Sequence, residues 1–217
     1  IRRLPKYQSE TAVLTGVDLA APDYTMANSL RFNGVNGTNM IRTPSSEGNR
    51  KTWTWSSWLK ISEVHYGNIF SNMINNGAGL YVHVHPTDNA LYVDDYGLVT
   101  YLTVPGVARE NSDWIHLVIS MDSTQSTASE RLRIYIDGVR QTPTGTYPTL
   151  DLEGQWNNTN PHYIGQQSNN AYYNLKSYVA DVNFIDGQSL APNAFGEYDP
   201  FGRWIAKDYA KGQVLGT

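Results

Sequence analysis

Apolar and polar residues alternate along most of the chain in short runs, and turns rich in Gly, Asn and Pro separate these runs. A period of two places the apolar side chains on one face of a β-strand. The pattern predicts roughly ten or more antiparallel strands and one helical turn near Pro192–Phe195. In the strand Lys51–Lys60, Trp53 and Trp55 share one face and Trp58 lies on the other. An all-β protein follows from this pattern.

Two hairpins stand out. In the first, the two strands are Asp113–Ile119 and Arg131–Val139, and a polar loop joins them. The second strand closes on Asp137-Gly138, which supplies the positive backbone φ of a tight turn. In the second, a turn at 86–89 joins Gly79–His85 to Ala90–Asp94. Short strands at this spacing predict an antiparallel β-sandwich of the jelly-roll type. We expect an N-terminal arm at 1–28, the jelly roll at 29–200 and a C-terminal tail at 201–217.

Composition narrows the possible partners. The 217 residues carry a net charge of −4 and no cluster of Lys and Arg, so the surface gives no electrostatic reason to bind nucleic acid. No apolar run approaches the ~20 residues that cross a bilayer, which argues against membrane insertion. The chain has no Cys, which excludes a disulfide framework and a thiolate metal site. Because it begins at Ile1 rather than Met, we expect processing or a fragment of a longer protein.

The first hairpin resembles a known fold family. Trp114–Ile119 followed by Leu132–Val139 is similar to the central hairpin of laminin-G, pentraxin and concanavalin A-like jelly rolls. Within it, Leu132, Ile134 and Ile136 share one face, as a sandwich core requires. The resemblance implies a lectin-like scaffold. It also implies a calcium site as an option, because such domains often bind calcium through loop oxygens, although no dense Asp cluster of that kind occurs here.

A narrower resemblance covers residues 29–210. The segments Ser29–Asn33, Gly48–Lys60 and Tyr178–Glu197 are similar to laminin-G-like domains of bacteriophage tail-fibre and other virion proteins, and Ile185–Pro192 is the specific part. The resemblance implies a virion protein on the phage tail or capsid surface that forms a homo-oligomer or part of a larger assembly. We expect contacts with other virion proteins through residues 1–28 and attachment to a host cell-surface glycan.

The loops between 155 and 174 supply the first candidate glycan site. Amide side chains and aromatic rings together suit neutral sugars, because they offer paired hydrogen bonds and an apolar stacking surface. The predicted ligand-binding residues are Trp156, Asn157, Asn158, Asn169, Asn170, Tyr172 and Tyr173. An ordinary Asn-rich turn region is the alternative, since Asn tolerates left-handed backbone.

The second hairpin supplies further candidates. Alternation places Tyr81, His83 and His85 on one face of their strand. Tyr92 and Asp94 of the returning strand share a face, which is predicted to be the same one. These side chains fit a sugar-binding groove, while a polar strand surface and a metal shared by two imidazoles are the alternatives. We assign no metal and no cofactor.

Catalysis is not predicted. A retaining glucanase needs two carboxylates ~5–5.5 Å apart, commonly two Glu on one strand. The two Glu residues nearest in sequence, Glu47 and Glu63, are 16 positions apart, and the adjacent Asp94 and Asp95 point to opposite faces of a regular strand. The sequence therefore predicts a non-catalytic structural or adhesion module. A purely architectural capsid or tail decoration protein is the alternative, and a glycan hydrolase is the third.

Overall fold

The computed structural model describes residues 24–75, 78–96, 100–107, 113–167 and 173–209. It is a sandwich of two antiparallel sheets with a separate two-stranded hairpin, which confirms the predicted fold class. The strands are β1 Leu30–Asn33, β2 Met40–Arg42, β3 Thr52–Ile61, β4 Gly67–Asn75, β5 Ala78–Val84, β6 Leu91–Tyr96, β7 Thr100–Val104, β8 Ile115–Asp122, β9 Leu132–Ile136, β10 Val139–Arg140, β11 Thr144–Thr146, β12 His162–Ile164, β13 Lys176–Asp186, β14 Gly196–Tyr198 and β15 Trp204–Ala206. A short helix, α1, spans Ala128–Arg131, and a 3₁₀ turn spans Pro192–Ala194.

The two sheets have six and seven strands. The first has the order β1-β13-β3-β8-β9-β10, and the second has the order β11-β7-β6-β5-β4-β12-β2. Between them lies one apolar core that includes Trp53, Trp55 and Trp156. Trp55 stacks on Phe70 of the opposite sheet with ring centroids 4.1 Å apart. Because Trp58 packs outside this core, the predicted division of the three tryptophans between the faces of β3 is confirmed.

The β9–β10 turn has the predicted conformation. Asp137 and Gly138 have φ values of +48° and +78°, as a two-residue hairpin turn requires. A Cβ on Gly138 would lie 2.6 Å from the ring of Trp204, so the turn also needs glycine for space. This second requirement comes from a residue 66 positions away in the sequence, and local pattern gives no hint of it.

The C-terminal hairpin corrects the predicted domain boundary. β15 pairs with β14, and the indole N–H of Trp204 donates to Nδ1 of His116 on β8 at 2.9 Å. The boundary at residue 200 would cut this hairpin, so residues 201–209 belong to the folded domain. At the other end, Tyr24 and Met26 pack against Trp58 within the residues assigned to the arm. Residues 1–23 of the predicted arm lie outside the described residues.

Among the described residues, no helix is long and apolar enough to cross a membrane.

Candidate functional site

The outer face of the seven-stranded sheet carries a cluster of aromatic, imidazole and carboxyl side chains, which we call the open face. Its members are Tyr66, Tyr81, His83, His85, Asp88, Tyr92, Asp94, Tyr101 and Tyr173. The β5–β6 register pairs Tyr81 with Asp94 and His83 with Tyr92. Since directly paired residues project from the same face of a sheet, the predicted grouping of Tyr81, His83, His85 and Asp94 is confirmed as a placement.

Aromatic rings are in contact along the open face. His83 stacks on Tyr92 with centroids 5.2 Å apart and ring planes within 8° of parallel. Tyr92 meets Tyr101 edge to face at 5.6 Å. Tyr66 contacts His85 at 4.3 Å between centroids, and its hydroxyl forms a hydrogen bond with Nε2 of that ring. Tyr66 and Tyr101 remain 38% and 49% exposed, so their rings are accessible to a ligand.

Hydrogen bonds fix the orientation of these rings. The Tyr92 hydroxyl donates to Oδ2 of Asp88 at 2.6 Å, and Asp88 Oδ1 accepts from the backbone N–H of Ala90 at 3.1 Å. The bond to Asp88 raises the pKa of Tyr92 above its ordinary value, so the phenol stays protonated. Tyr92 is thus held in place beneath Tyr101 and against His83, which makes the surface preorganised.

Burial sets the charge states of the two central groups. It raises the pKa of Asp94 to about 7, and burial together with the charge of His85 lowers the pKa of His83 to about 4. The carboxyl and the imidazole approach only to 4.0 Å, between Oδ2 and Nδ1. Near neutral pH the imidazole is therefore uncharged, and the two groups do not form an ion pair. Asp94 Oδ1 is buried and has no hydrogen-bond partner among the described residues.

The first candidate site is corrected by the structure. Trp156 is 4% exposed in the core, and Asn157 and Asn158 are 8% and 3% exposed. The expectation that these residues present an exposed stacking surface is wrong. The reason is that the amides bind the protein itself: Asn157 Nδ2 donates to Asp186 Oδ1 at 2.7 Å, and Asn158 Oδ1 accepts from Asn72 Nδ2 at 3.0 Å.

The remaining candidates divide into two groups. Asn169, Asn170 and Tyr172 lie outside the described residues. Tyr173 is half-buried, and its ring meets Tyr66 edge to face at 6.0 Å. It therefore belongs to the open face rather than to a separate loop site.

Sequence reasoning missed Tyr66, Asp88 and Tyr101 as members of the cluster. The signal for Tyr101 was present, because alternation in β7 places Leu102 and Val104 in the core and Tyr101 outside it. Tyr66 precedes β4 in an irregular segment, so no periodicity could indicate its direction. Across the described residues, no group of three or more His, Asp and Glu side chains is placed to hold a metal ion.

Comparison with known proteins identifies the fold family. No curated protein matches the sequence. Similar solved structures include a heptameric pentraxin from Limulus polyphemus (17% identity, TM-score 0.52, covering 75% of this chain and 77% of that one). Domain 4 of an extracellular arabinanase from Geobacillus stearothermophilus, in complex with arabinotriose, is also similar (15% identity, TM-score 0.51, 76% and 73% covered). Mouse laminin α1 domains LG4-5 match at 13% identity and a TM-score of 0.53.

The chain covers 48% of that laminin fragment, against 84% of its own length. At these identities the structural matches show a shared fold. The sequence profile of the concanavalin A-like lectin/glucanases superfamily matches residues 35–191. That range contains β2 to β13 and therefore most of both sheets. The chain belongs to the concanavalin A-like lectin/glucanases superfamily.

Proposed function

We propose that this domain is a non-catalytic glycan-binding module, and that the glycan lies across the open face. The observation that carries the proposal is the continuous row of contacting rings formed by His83, Tyr92 and Tyr101, one end of which is 49% exposed. The apolar C–H face of a sugar packs on such rings, and the hydroxyls bind polar groups at their edges.

The polar groups of the open face favour a neutral sugar. The imidazole of His83 is uncharged near neutral pH, and the pKa of Asp94, about 7, is itself close to neutral pH. An imidazole and a carboxyl in these states offer both donors and acceptors to hydroxyl groups. An anionic sugar would meet Asp88 and Asp94 with no Lys or Arg among the members of the open face.

The proposed absence of catalysis rests on the placement of the carboxylates. Asp95 is the neighbour of Asp94 in sequence, but its side chain lies on the inner side of the sheet, where Oδ2 accepts from the backbone N–H of Gln155 at 3.0 Å. The two carboxyls therefore project from opposite faces of β6 and do not flank one bond. Glycan binding is supported by domain 4 of the extracellular arabinanase, a domain of the same fold that is seen in complex with arabinotriose.

We further propose that the module belongs to a bacteriophage virion, at the tail or capsid surface, where it attaches to a host cell-surface glycan. The support is the resemblance of Ile185–Pro192 to laminin-G-like domains of virion proteins. In the structure this segment begins with the last two residues of β13 and leads into the 3₁₀ turn on the outer side of the six-stranded sheet. Contacts with other virion proteins through residues 1–28 form part of the proposal. Mass spectrometry of purified phage particles from the source should detect the chain, and its absence there would refute the assignment.

A glycan array tests the binding proposal, followed by calorimetry on any hit. Tyr101→Ala removes an exposed ring from the open face, and Phe201→Ala removes a ring that is 56% exposed in the C-terminal hairpin. We expect Tyr101→Ala to weaken binding about tenfold, which is about 1.4 kcal/mol. The Phe201→Ala control should bind like the parent. Equal affinity of both variants, or no binding of the parent to any neutral glycan, would contradict the proposal.

A further inference from the structure

A cavity of the molecule lies away from the open face. A cavity of 320 Å³ opens between the two sheets beside the edge strand β2, and residues of β2, β12 and the second half of β13 form its sides. The rings of Trp55, Trp156 and Phe184 line it. Its volume is within the range of small-molecule sites, which bind apolar groups against such rings.

The mouth of this cavity is unusually apolar for a surface. Three of its lining residues, Met40, Ile41 and Val182, are 47%, 58% and 36% exposed. Val182 lies at a β-bulge, where the β13–β3 register shifts between Ala180 and Asn183. The bulge turns the edge of β13 away from regular pairing and leaves this apolar rim open. An exposed apolar rim that is continuous with a ring-lined cavity indicates a binding site.

The charge of the cavity lining favours an anionic ligand. The lining contains one cationic side chain, Arg42, and no carboxylate. Among the described residues no carboxylate forms an ion pair with Arg42, whose side chain is exposed. The charge of Arg42 adds to burial in lowering the pKa of His162, another lining residue, to about 4, so the guanidinium is close to the cavity.

The imidazole of His162, which also lines the cavity, is already paired on both nitrogens. His162 Nδ1 pairs with the carbonyl of Asn160 at 2.7 Å, and Nε2 accepts from the backbone N–H of Asn157 at 3.0 Å. The imidazole is therefore neutral and has no free donor to offer. Arg42 is the charged side chain of the lining, and a guanidinium binds carboxylate or sulfonate oxygens in a fork.

We propose that this cavity binds a small apolar anion, with a ring or short hydrocarbon body against Trp55, Trp156 and Phe184 and its anionic group at Arg42. The site is independent of the glycan-binding function, because none of its lining residues belongs to the open face. A ligand here would contact both sheets at once, and because it binds only the folded chain it would raise the free energy of unfolding by RT ln(1 + c/Kd), where c is the free ligand concentration.

A matched pair of fluorescent probes tests the proposal on the full chain. The anionic probe is 8-anilinonaphthalene-1-sulfonate, and N-phenyl-1-naphthylamine is the same body without the sulfonate. We expect saturable binding of the anionic probe with one site per chain, and energy transfer from tryptophan. Arg42→Gln should weaken the anionic probe about fivefold and change the neutral probe less than about twofold, since a partly exposed ion pair contributes about 1 kcal/mol. Arg31→Gln, on β1 outside the lining, is the charge control.

Filling the cavity provides the second variant. Val182→Trp should abolish binding of both probes, whereas Val139→Trp, on β10 and 56% exposed, should leave it unchanged. Equal weakening of both probes in Arg42→Gln would overturn the anion assignment, and undiminished binding by Val182→Trp would overturn the location. Failure of the parent to bind the anionic probe would refute the proposal. Self-association of the chain that Val182→Trp abolishes would also refute it, because the cavity would then be occupied by a second copy of the chain.

Discussion

The outer face of the seven-stranded sheet, which is the open face, and the outer face of the six-stranded sheet, which we call the covered face, carry similar side chains in different surroundings. Each carries a histidine stacked on an aromatic ring: His83 on Tyr92, with centroids 5.2 Å apart, and His116 on Trp58, with centroids 4.8 Å apart. His116 is 0% exposed, because the ring of Trp204 from the C-terminal hairpin covers it. His83 keeps 17% of its side chain exposed beside rings that are still more accessible.

The hydrogen bonds differ in the same way. Both nitrogens of His116 are paired, Nε2 with Ser56 Oγ at 2.9 Å and Nδ1 with the Trp204 indole N–H at 2.9 Å. Because an indole only donates, Nδ1 is the acceptor and Nε2 carries the proton. On the open face, Asp94 next to His83 keeps an oxygen without a partner among the described residues. Pairing of both ring nitrogens is typical of a structural histidine, whereas His83 lies beside a carboxyl that is incompletely paired.

The largest expected effect on stability comes from removing Trp204, whose ring covers His116. Trp204→Ala deletes a ring packed on His116 and Tyr198 and leaves His116 Nδ1 without its donor. We expect the free energy of unfolding to fall by about 3 kcal/mol, the low end for a partly buried tryptophan. Urea denaturation measures it. A loss below about 1 kcal/mol would mean that the hairpin adds little to the covered face.

The faces should also differ in how pH affects stability. Burial lowers the folded-state pKa of His116 from 6.5 to about 4, so between these values the unfolded chain binds a proton that the folded chain does not. This contribution to stability rises with pH and is lost as pH falls. Burial raises the pKa of Asp94 from 3.8 to about 7, so there the folded chain keeps a proton that the unfolded chain has released. The Asp94 contribution therefore falls as pH rises.

Asp94→Asn separates the two contributions. At about pH 8 we expect the variant to be more stable than the parent by about 2 kcal/mol, because it removes a buried charge that the parent must carry. At about pH 4 the difference should nearly vanish, since the Asp94 carboxyl is then protonated in the folded chain. Urea denaturation at a series of pH values measures both. Parallel stability curves for parent and variant would show that Asp94 is solvated well enough to ionise freely.

A smaller loss of stability is expected from changing Ser56, which binds His116 beneath the Trp204 ring. Ser56→Ala removes the oxygen that accepts from Nε2–H of His116 and leaves that donor buried. We expect a loss of about 1 kcal/mol in the free energy of unfolding. A Thr54→Ala variant is not a suitable control, because Thr54 binds the backbone at both Gln188 and Leu190. Tyr135→Phe on the same face changes only a hydroxyl and serves instead, so equal losses in the two variants would contradict the assigned bond.

The smallest stability effect belongs to the open face. Tyr101→Ala should change the free energy of unfolding by less than about 0.5 kcal/mol, because its ring is 49% exposed. The same variant is expected to lose glycan affinity. A large loss of stability would assign Tyr101 a packing role and weaken the contrast between the two faces.

Much of the fold could be predicted from alternation alone. The strands of both hairpins, the Asp137-Gly138 turn and the division of Trp53, Trp55 and Trp58 between faces all depend on local geometry, and the structure confirms them. The open-face grouping of Tyr81, His83, His85 and Asp94 follows from one hairpin register. Trp156 could not be predicted correctly, because an aromatic residue in an Asn-rich loop carries no periodicity to show which way it points.

The sequence by itself determined the strands, their inward and outward faces, and the family, because each depends on side-chain period and turn chemistry over a few residues. Only the tertiary structure decided which polar face is covered and which is open. That choice depends on where residues 196–206 fold back, 80 or more positions after His116. Burial beneath that hairpin makes His116 a structural residue. The hairpin does not extend over His83, and the surface there can be reached by a ligand.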